Sequence, residues 1–171
     1  MQFIFETPRL ILSQFTKDDA SLILRLNSHP EVVKYVHEPV LKTEERAQEI
    51  LLNIILPQYK LNLGRWAIYT KEKNEFIGWC GLKHQPEANE IDLGYRLHPA
   101  WWRQGFATEA ARHTLEYGLN KLRIPVITGR AHVKNMASLK ILETIGMVWT
   151  KDEVIDNCPV KTFIAVNSSN S

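Results

Sequence analysis

The order of elements legible in this chain, β-α-α-β-β-β-α-β-α-β-β, predicts an α/β fold: one domain over residues 1–171, with a mixed, mostly antiparallel sheet of about seven strands flanked by about four helices. Three observations carry that class. Arg65 to Thr70, Phe76 to Leu82 and Glu90 to Leu97 are extended in pattern and follow one another across short polar loops, as an antiparallel meander does. The third of these leads through one Gly-bearing turn into a helix whose small and apolar residues recur at helical spacing. A chain of 171 residues is the size of a single domain, burying about 70% of the surface its unfolded form exposes.

Taken in order, Arg9 to Phe15 is a first strand after Thr7-Pro8. Thr16, with Asp19 three residues on, predicts the start of a helix whose face is Ala20, Ile23, Leu24 and Asn27, ended by His29-Pro30. Glu31 to Val36 reads as a short helical turn. Thr43-Glu44-Glu45 opens a second helix with the stripe Ala47, Ile50, Leu51 and Ile54, and Pro57 lies near its end. After the meander, the central helix carries Ala107, Ala110, Ala111, Thr114, Leu115, Gly118, Leu119 and Leu122 on one face. Val126 to Val133 is a strand, and Asn135 to Ile145 a helix stopped by Gly146. Met147 to Ile155 and Val160 to Val166 close the sheet as a hairpin across Asp156-Asn157, and residues 167–171 read as a disordered tail.

Composition narrows the function. The net charge of +2 is too small to call for nucleic acid or an anionic membrane. No apolar run approaches the roughly 20 residues of a membrane span, and Phe3-Ile4-Phe5 followed by Glu6 is no signal peptide. Cys80 and Cys158 lack metal-site spacing; they read as cytoplasmic thiols, with a single disulfide the alternative. His29, His37, His84, His98, His113 and His132 are scattered without ligand spacing, so no metal is expected. No Ser–His–Asp or Cys–His arrangement is legible, and Trp66, Trp79 and Trp149 read as sheet packing.

The chemistry concentrates in Gly94 to Ala111, G-Y-R-L-H-P-A-W-W-R-Q-G-F-A-T-E-A-A. A strand, a turn with Gly105 and a helix beginning with small residues aim unpaired N–H groups and a positive helix end at one point, which suits an anion and phosphate above all. The run is neither a P-loop, which needs Gly-Lys-Ser/Thr, nor a dinucleotide fingerprint, which needs three glycines.

Trp102-Arg103-Gln104-Gly105-Phe106-Ala107 resembles the acyl-CoA pyrophosphate loop of the GNAT N-acetyltransferases, Q/R-x-x-G-x-G/A, with Trp102 in place of the usual first residue. Trp102 in that place, followed by x-x-G-x-A-T-E-A, is similar to the ribosomal-protein alanine N-acetyltransferase (RimJ/RimL-like) branch. Two further stretches add to the likeness: the opening E-T-P-R-L-I-L (Glu6 to Leu12) resembles this branch's first strand, and Val133-Lys134-Asn135-Met136-Ala137-Ser138, running on through L-K-I-L-E-T-I-G-M to Met147, is similar to the family's N-x-x-S-x-x-x-L-E-x-x-G-F. With the strand order, the likeness spans nearly the whole chain and implies a single GNAT domain.

The resemblance implies that Arg103, Gln104, Gly105, Phe106, Ala107 and Thr108 offer N–H groups to the pyrophosphate of acetyl-CoA, the co-substrate, with the Thr108 hydroxyl beside them. It sets Asn135 against the pantetheine arm and Ser138 near the coenzyme sulfur, to protonate the leaving thiolate. Many family members have a tyrosine four residues further on; Leu142 stands there. On the residues alone, Asn135 is also a helix N-cap, and the two roles are compatible. An acceptor amine must be neutral to attack, and a carboxylate on the meander's last strand can take its proton. Asp92 matches the branch's acidic position two before Gly-Tyr, and Glu90 is the alternative. N–H groups at Tyr95, Arg96 and Leu97 would polarise the thioester carbonyl.

The expected activity is therefore acetyl transfer from acetyl-CoA to a primary amine by direct attack in a ternary complex, in a cytoplasmic monomer or homodimer. A peptide N-terminus is the expected acceptor, with a small-molecule amine (amino sugar, polyamine or antibiotic) as one alternative and a non-catalytic acyl-CoA-binding module as another. Neither nucleic acid, membrane nor metal is expected as a partner.

Overall fold

A computed structural model describes residues 2–36 and 38–168. Among the described residues, eight strands form one sheet: β1 (Phe3–Glu6), β2 (Leu10–Gln14), β3 (Gly64–Thr70), β4 (Phe76–Gln85), β5 (Glu90–Leu97), β6 (Val126–His132), β7 (Val148–Ile155) and β8 (Cys158–Val166). Their spatial order is β1-β2-β3-β4-β5-β6-β8-β7, and every neighbouring pair is antiparallel except β5 with β6. That parallel pair holds register only at Asp92↔Thr128 and Leu93↔Gly129, and beyond it the two strands part.

Four principal helices cover the faces: α1 (Ala20–Asn27), α2 (Glu44–Ile50), α3 (Phe106–Glu116) and α4 (Met136–Thr144). The second runs on through a π-helical stretch, Leu51–Ile55, to a last turn at Tyr59–Leu61. Period two on β4 divides the core. Cys80 and Leu82 join Leu93, Leu97, Ala110 and Ala111 under α3 and α4, while Trp79 joins Ile23, Leu26, Ala47, Leu51 and Ala67 under α1 and α2. The stripe expected on α3 is the face it buries, from Ala110 and Ala111 through Thr114 and Leu115.

The sheet has one strand more than expected. β1 is four residues long, carries a bulge and leaves Phe3 exposed, so no alternation marks it. Its pairing with β2 and the packing of Phe5 on Trp66 and Tyr117 hold it in place. α1 starts at Ala20 rather than after Thr16, because the Asp19 carboxylate accepts the Thr16 N–H at 2.7 Å and spends residues 16–19 on a turn. Residues 31–36 form hydrogen-bonded turns, as expected. The expected tail needs correction at its start: Asn167 is buried, its side-chain amide donating to the Leu119 carbonyl at 2.6 Å. Residues 169–171 lie outside the described residues, as does His37.

The β7–β8 hairpin turns at Asp156-Asn157 with φ of 50° and 64°, the two left-handed residues that a two-residue hairpin turn requires. Trp149 departs from the packing expectation, being 53% exposed with the Lys161 ammonium above its ring. Cys80 is buried and Cys158 half-buried, and both are free thiols. Among the described residues no helix is long and apolar enough to cross a membrane, and no group of three or more His, Cys, Asp or Glu is placed to hold a metal ion.

Candidate active site

A cleft of about 1260 Å³ opens where β5 and β6 part. The Arg103–Thr108 loop forms one end, the strands its walls, and the start of α4 and the turns at 31–36 its rim.

The loop is held from both sides. Trp102 donates its indole N–H to the Leu97 carbonyl at 2.8 Å, pinning the loop to the end of β5. Arg9, on the turn into β2, donates to the Gln104 carbonyl at 3.1 Å and to the Glu109 carboxylate at 2.7 Å, and lies 4.1 Å over the Phe106 ring. Glu109 also accepts from the Thr7 hydroxyl at 2.6 Å and the Arg9 backbone N–H at 2.8 Å. Burial works to raise the Glu109 carboxyl, but these hydrogen bonds outweigh it and hold the group below the usual carboxylate range.

Arg103 and Gly105 take φ of 61° and 81°, left-handed conformations that turn successive N–H groups toward one side. The N–H groups of Arg103, Gln104 and Gly105 donate to no acceptor among the described residues. Gly105 is the N-cap of α3, so the first turn of that helix adds its own free donors. The Gln104 side chain turns back to the Ala100 carbonyl at 3.0 Å, and Phe106 is buried beside Trp101. Neither side chain lines the cleft, whereas Arg103, Gly105, Ala107 and Thr108 do.

On β5 the N–H groups alternate in direction. His98 donates to Ile77 of β4 at 2.8 Å, and the Thr128 hydroxyl of β6 reaches the Ile91 carbonyl at 3.2 Å. Period two then points Tyr95 and Leu97 into the gap and Arg96 toward β4. Arg96 thus departs from its expected place as a donor to the thioester. Its guanidinium instead forms a two-point pair with Glu38, 2.9 Å at each contact, and donates to Asn27 at 2.8 Å. That ties the α1–α2 connection over the sheet.

Asp92 and Glu90 share one partner, Arg130 of β6, at 2.8 and 2.7 Å. The third carboxylate on that guanidinium is Glu153 at 3.3 Å, and the Thr128 hydroxyl donates to Asp92. Burial opposes the Arg130 charge, but Glu90 and Asp92 more than offset it and raise its pKa. Asn135 caps α4, its side-chain oxygen accepting the Ser138 N–H at 3.2 Å, and both residues line the cleft. Ser138 neighbours the Tyr95 phenol, a buried hydroxyl that reaches no partner in hydrogen-bond geometry. Burial pushes that phenol up to about 12.

Sequence reading missed Arg130, the Arg9–Glu109 clamp and the Tyr95 phenol. The conspicuous signal for the last was an aromatic hydroxyl on the otherwise apolar face of β5.

The family profile described as Acetyltransferase (GNAT) domain matches residues 9–148. The chain is 32% identical over 145 residues to "Uncharacterized N-acetyltransferase YoaA" of Bacillus subtilis, covering 84% of this chain and 81% of that protein. Among solved structures it is similar to RimL, a ribosomal L7/L12 alpha-N-protein acetyltransferase in complex with coenzyme A, with a TM-score of 0.82 at 14% identity, covering 96% of this chain and 98% of that one. It is similar too to spermidine N-acetyltransferase from Vibrio cholerae in complex with coenzyme A and spermine, with a TM-score of 0.78 at 18% identity, covering 93% and 96% of the two chains.

Proposed function

The chain belongs to the GNAT acetyltransferase family, and from that membership we propose that it transfers acetyl from acetyl-CoA to a primary amine in a ternary complex, a peptide N-terminus being the preferred acceptor. The observation that carries this reading is the alignment of three features along one cleft: free N–H groups at the α3 loop, two N–H groups facing the β5–β6 gap, and the Ser138 hydroxyl on the rim.

The residues present fit the coenzyme. A pyrophosphate suits the donors of Arg103 to Thr108, and a Cβ at Gly105 would come within 3.3 Å of the Arg9 guanidinium besides straining the backbone. Asn135 borders the path of the pantetheine arm. When bound, acetyl-CoA supplies the acyl carbon as a thioester. The Tyr95 or the Leu97 N–H, about 7 Å apart along the strand, holds the carbonyl oxygen, a contact that strengthens as charge builds there. Asp92, or Glu90 beside it, takes the proton from the attacking amine, and Ser138 gives one to the departing sulfur.

The test is coenzyme A release on competition between an alanine- or serine-starting peptide and spermidine at equal concentration. Faster acetylation of the peptide is expected. A tenfold preference for spermidine overturns the acceptor and leaves the transferase; acetyl-CoA binding with no turnover of any amine leaves only a binding module.

A further inference from the structure

Beside the cleft, on the face of the sheet covered by α1 and α2, is a hollow of about 190 Å³. It shares Trp79, Leu93, Gly94 and Arg130 with the cleft. Gly81 and Gly94 pair across the strands at its floor, where Gly81 packs on the Gly64 backbone and the Trp79 ring lies over Gly94. Gly81 is obligatory, since a Cβ would stand 1.9 Å from the Gly64 carbonyl oxygen. Arg65, the partner of Gly81 on β3, and Lys83, two residues along β4, stand at its edge.

Neither cation has an anion of its own. Arg65 stacks 4.6 Å over the Trp79 ring, and among the described residues neither its guanidinium nor the Lys83 ammonium makes a hydrogen bond or ion pair. The nearby carboxylates are taken, Glu38 by Arg96 and Asp92 by Arg130. Burial, then repulsion from Arg96, pulls the Arg65 guanidinium down to about 10; burial, then Arg65, lowers Lys83. Two half-buried like charges at one hollow, neither paired to an anion, are what an anion would satisfy, and a guanidinium fits a carboxylate at two points.

The hollow also adjoins the reacting centre proposed above: Gly94, at its floor, precedes Tyr95, whose N–H faces the gap. We propose that Arg65 and Lys83 bind a carboxylate that the acceptor carries close to its amine. The acceptor is then a free amino acid, or a peptide whose first residue is acidic. This rests on the acetyl-CoA-dependent transferase reading above, and not on its Ala- or Ser-starting peptide acceptor.

Two pairs of acceptors test it by kcat/KM: alanine against alaninamide, and a Glu-starting against a Gln-starting peptide. In one pair or both the carboxylate should be favoured at least tenfold, through KM, and the favoured pair names the source. The preference should vanish in Arg65→Gln/Lys83→Met, which breaks no hydrogen bond or ion pair of either side chain and loses the Arg65 stack on Trp79. No discrimination in either pair, or discrimination that survives in the double variant, overturns the subsite and leaves the transferase. Calorimetry of N-acetylalanine against N-acetylalaninamide, with coenzyme A present, needs no turnover. Tenfold tighter binding of the acid, lost in the double variant, upholds the subsite even in a protein that acetylates none of the four amines, which would remove the transferase instead; equal binding overturns the subsite.

Discussion

Arg9 and Glu109 stand 100 residues apart in the chain and 2.7 Å apart in space. This contact fastens the edge of the sheet to the first turn of α3, and through Gln104 to the loop proposed to hold pyrophosphate. Glu109→Gln should cost about 1–2 kcal/mol of stability at neutral pH, as loss of a charged hydrogen bond does. The folded Glu109 pKa lies below its unfolded value. Its contribution is therefore complete above the ordinary carboxylate pKa of about 4.3 and fades as pH falls through the depressed one. Urea unfolding at pH 7 and pH 3 should show the gap between wild type and variant narrowing in acid; an equal gap at both would remove the charge from the account.

Gly105→Val should weaken acetyl-CoA binding at least tenfold. The residue holds φ of 81°, which a β-branched side chain rarely adopts, and caps α3 where the backbone must face the ligand. Strain of about 1–2 kcal/mol leaves the fold in place. Calorimetric titration of a folded variant decides it, and wild-type affinity there would take the loop out of the site.

Ser138→Ala should lower kcat by no more than about 10²-fold, the low end for general acids, because a thiolate leaves readily. Acetyl-CoA affinity should hold, since the cap to Asn135 uses the Ser138 backbone N–H. Tyr95→Phe keeps the β5 backbone and removes the phenol next to Ser138. A fall in kcat there too would show that the two hydroxyls act together, and an unchanged rate in both variants at saturating substrates would end the acid role for each.

Asp92→Asn should depress the rate most at acidic pH, where the amine arrives protonated, within the roughly 10²–10⁴-fold range of general bases. The fold should tolerate it, because Arg130 keeps Glu90 at 2.7 Å and Glu153 at 3.3 Å. Glu90→Gln is the comparison. If Glu90→Gln shows the acid-weighted loss and Asp92→Asn does not, the role moves to Glu90; if neither does, proton removal passes to water.

What the sequence disclosed depended on the range of the interaction. The stripe of α3, Gly105 before it and the Asn135 cap are local patterns, each confined to a few residues, and they read directly. β1 was illegible because a short, exposed edge strand has no buried face to impose alternation. Asp92 and Glu90 were visible as carboxylates on a strand, but their partner Arg130 lies 38 and 40 positions away from them, brought close by the parallel β5–β6 pair. Arg65 and Lys83 were lost for a similar reason. Their meaning lies in the strand pairing that brings them to one hollow and in the ion pairs that hold Glu38 and Asp92 elsewhere, and neither is a property of any one stretch.

Glu38 and Arg96 allow a last test, of how the α1–α2 connection serves the acceptor side. Burial works to raise the Glu38 carboxyl, and Arg96 outweighs it, so its folded pKa is depressed and its stabilisation is present at neutral pH and lost in acid. Glu38→Gln leaves Arg96, whose side chain is 10% exposed, with only the Asn27 oxygen and adds a third uncompensated cation beside Arg65 and Lys83. A loss of about 1 kcal/mol is expected at pH 7, because the Glu38 side chain is 48% exposed and water screens the pair. Arg96→Met in the same chain should restore most of it, because removing both partners strands nothing. Since Glu31, Tyr35 and Val36 of this connection line the cleft, the single variant should also raise the acceptor KM while the acetyl-CoA Kd stays. Denaturation of the two single variants and the double gives the coupling, and additive losses would mean that Glu38 and Arg96 act independently and that the wall stands without their pairing.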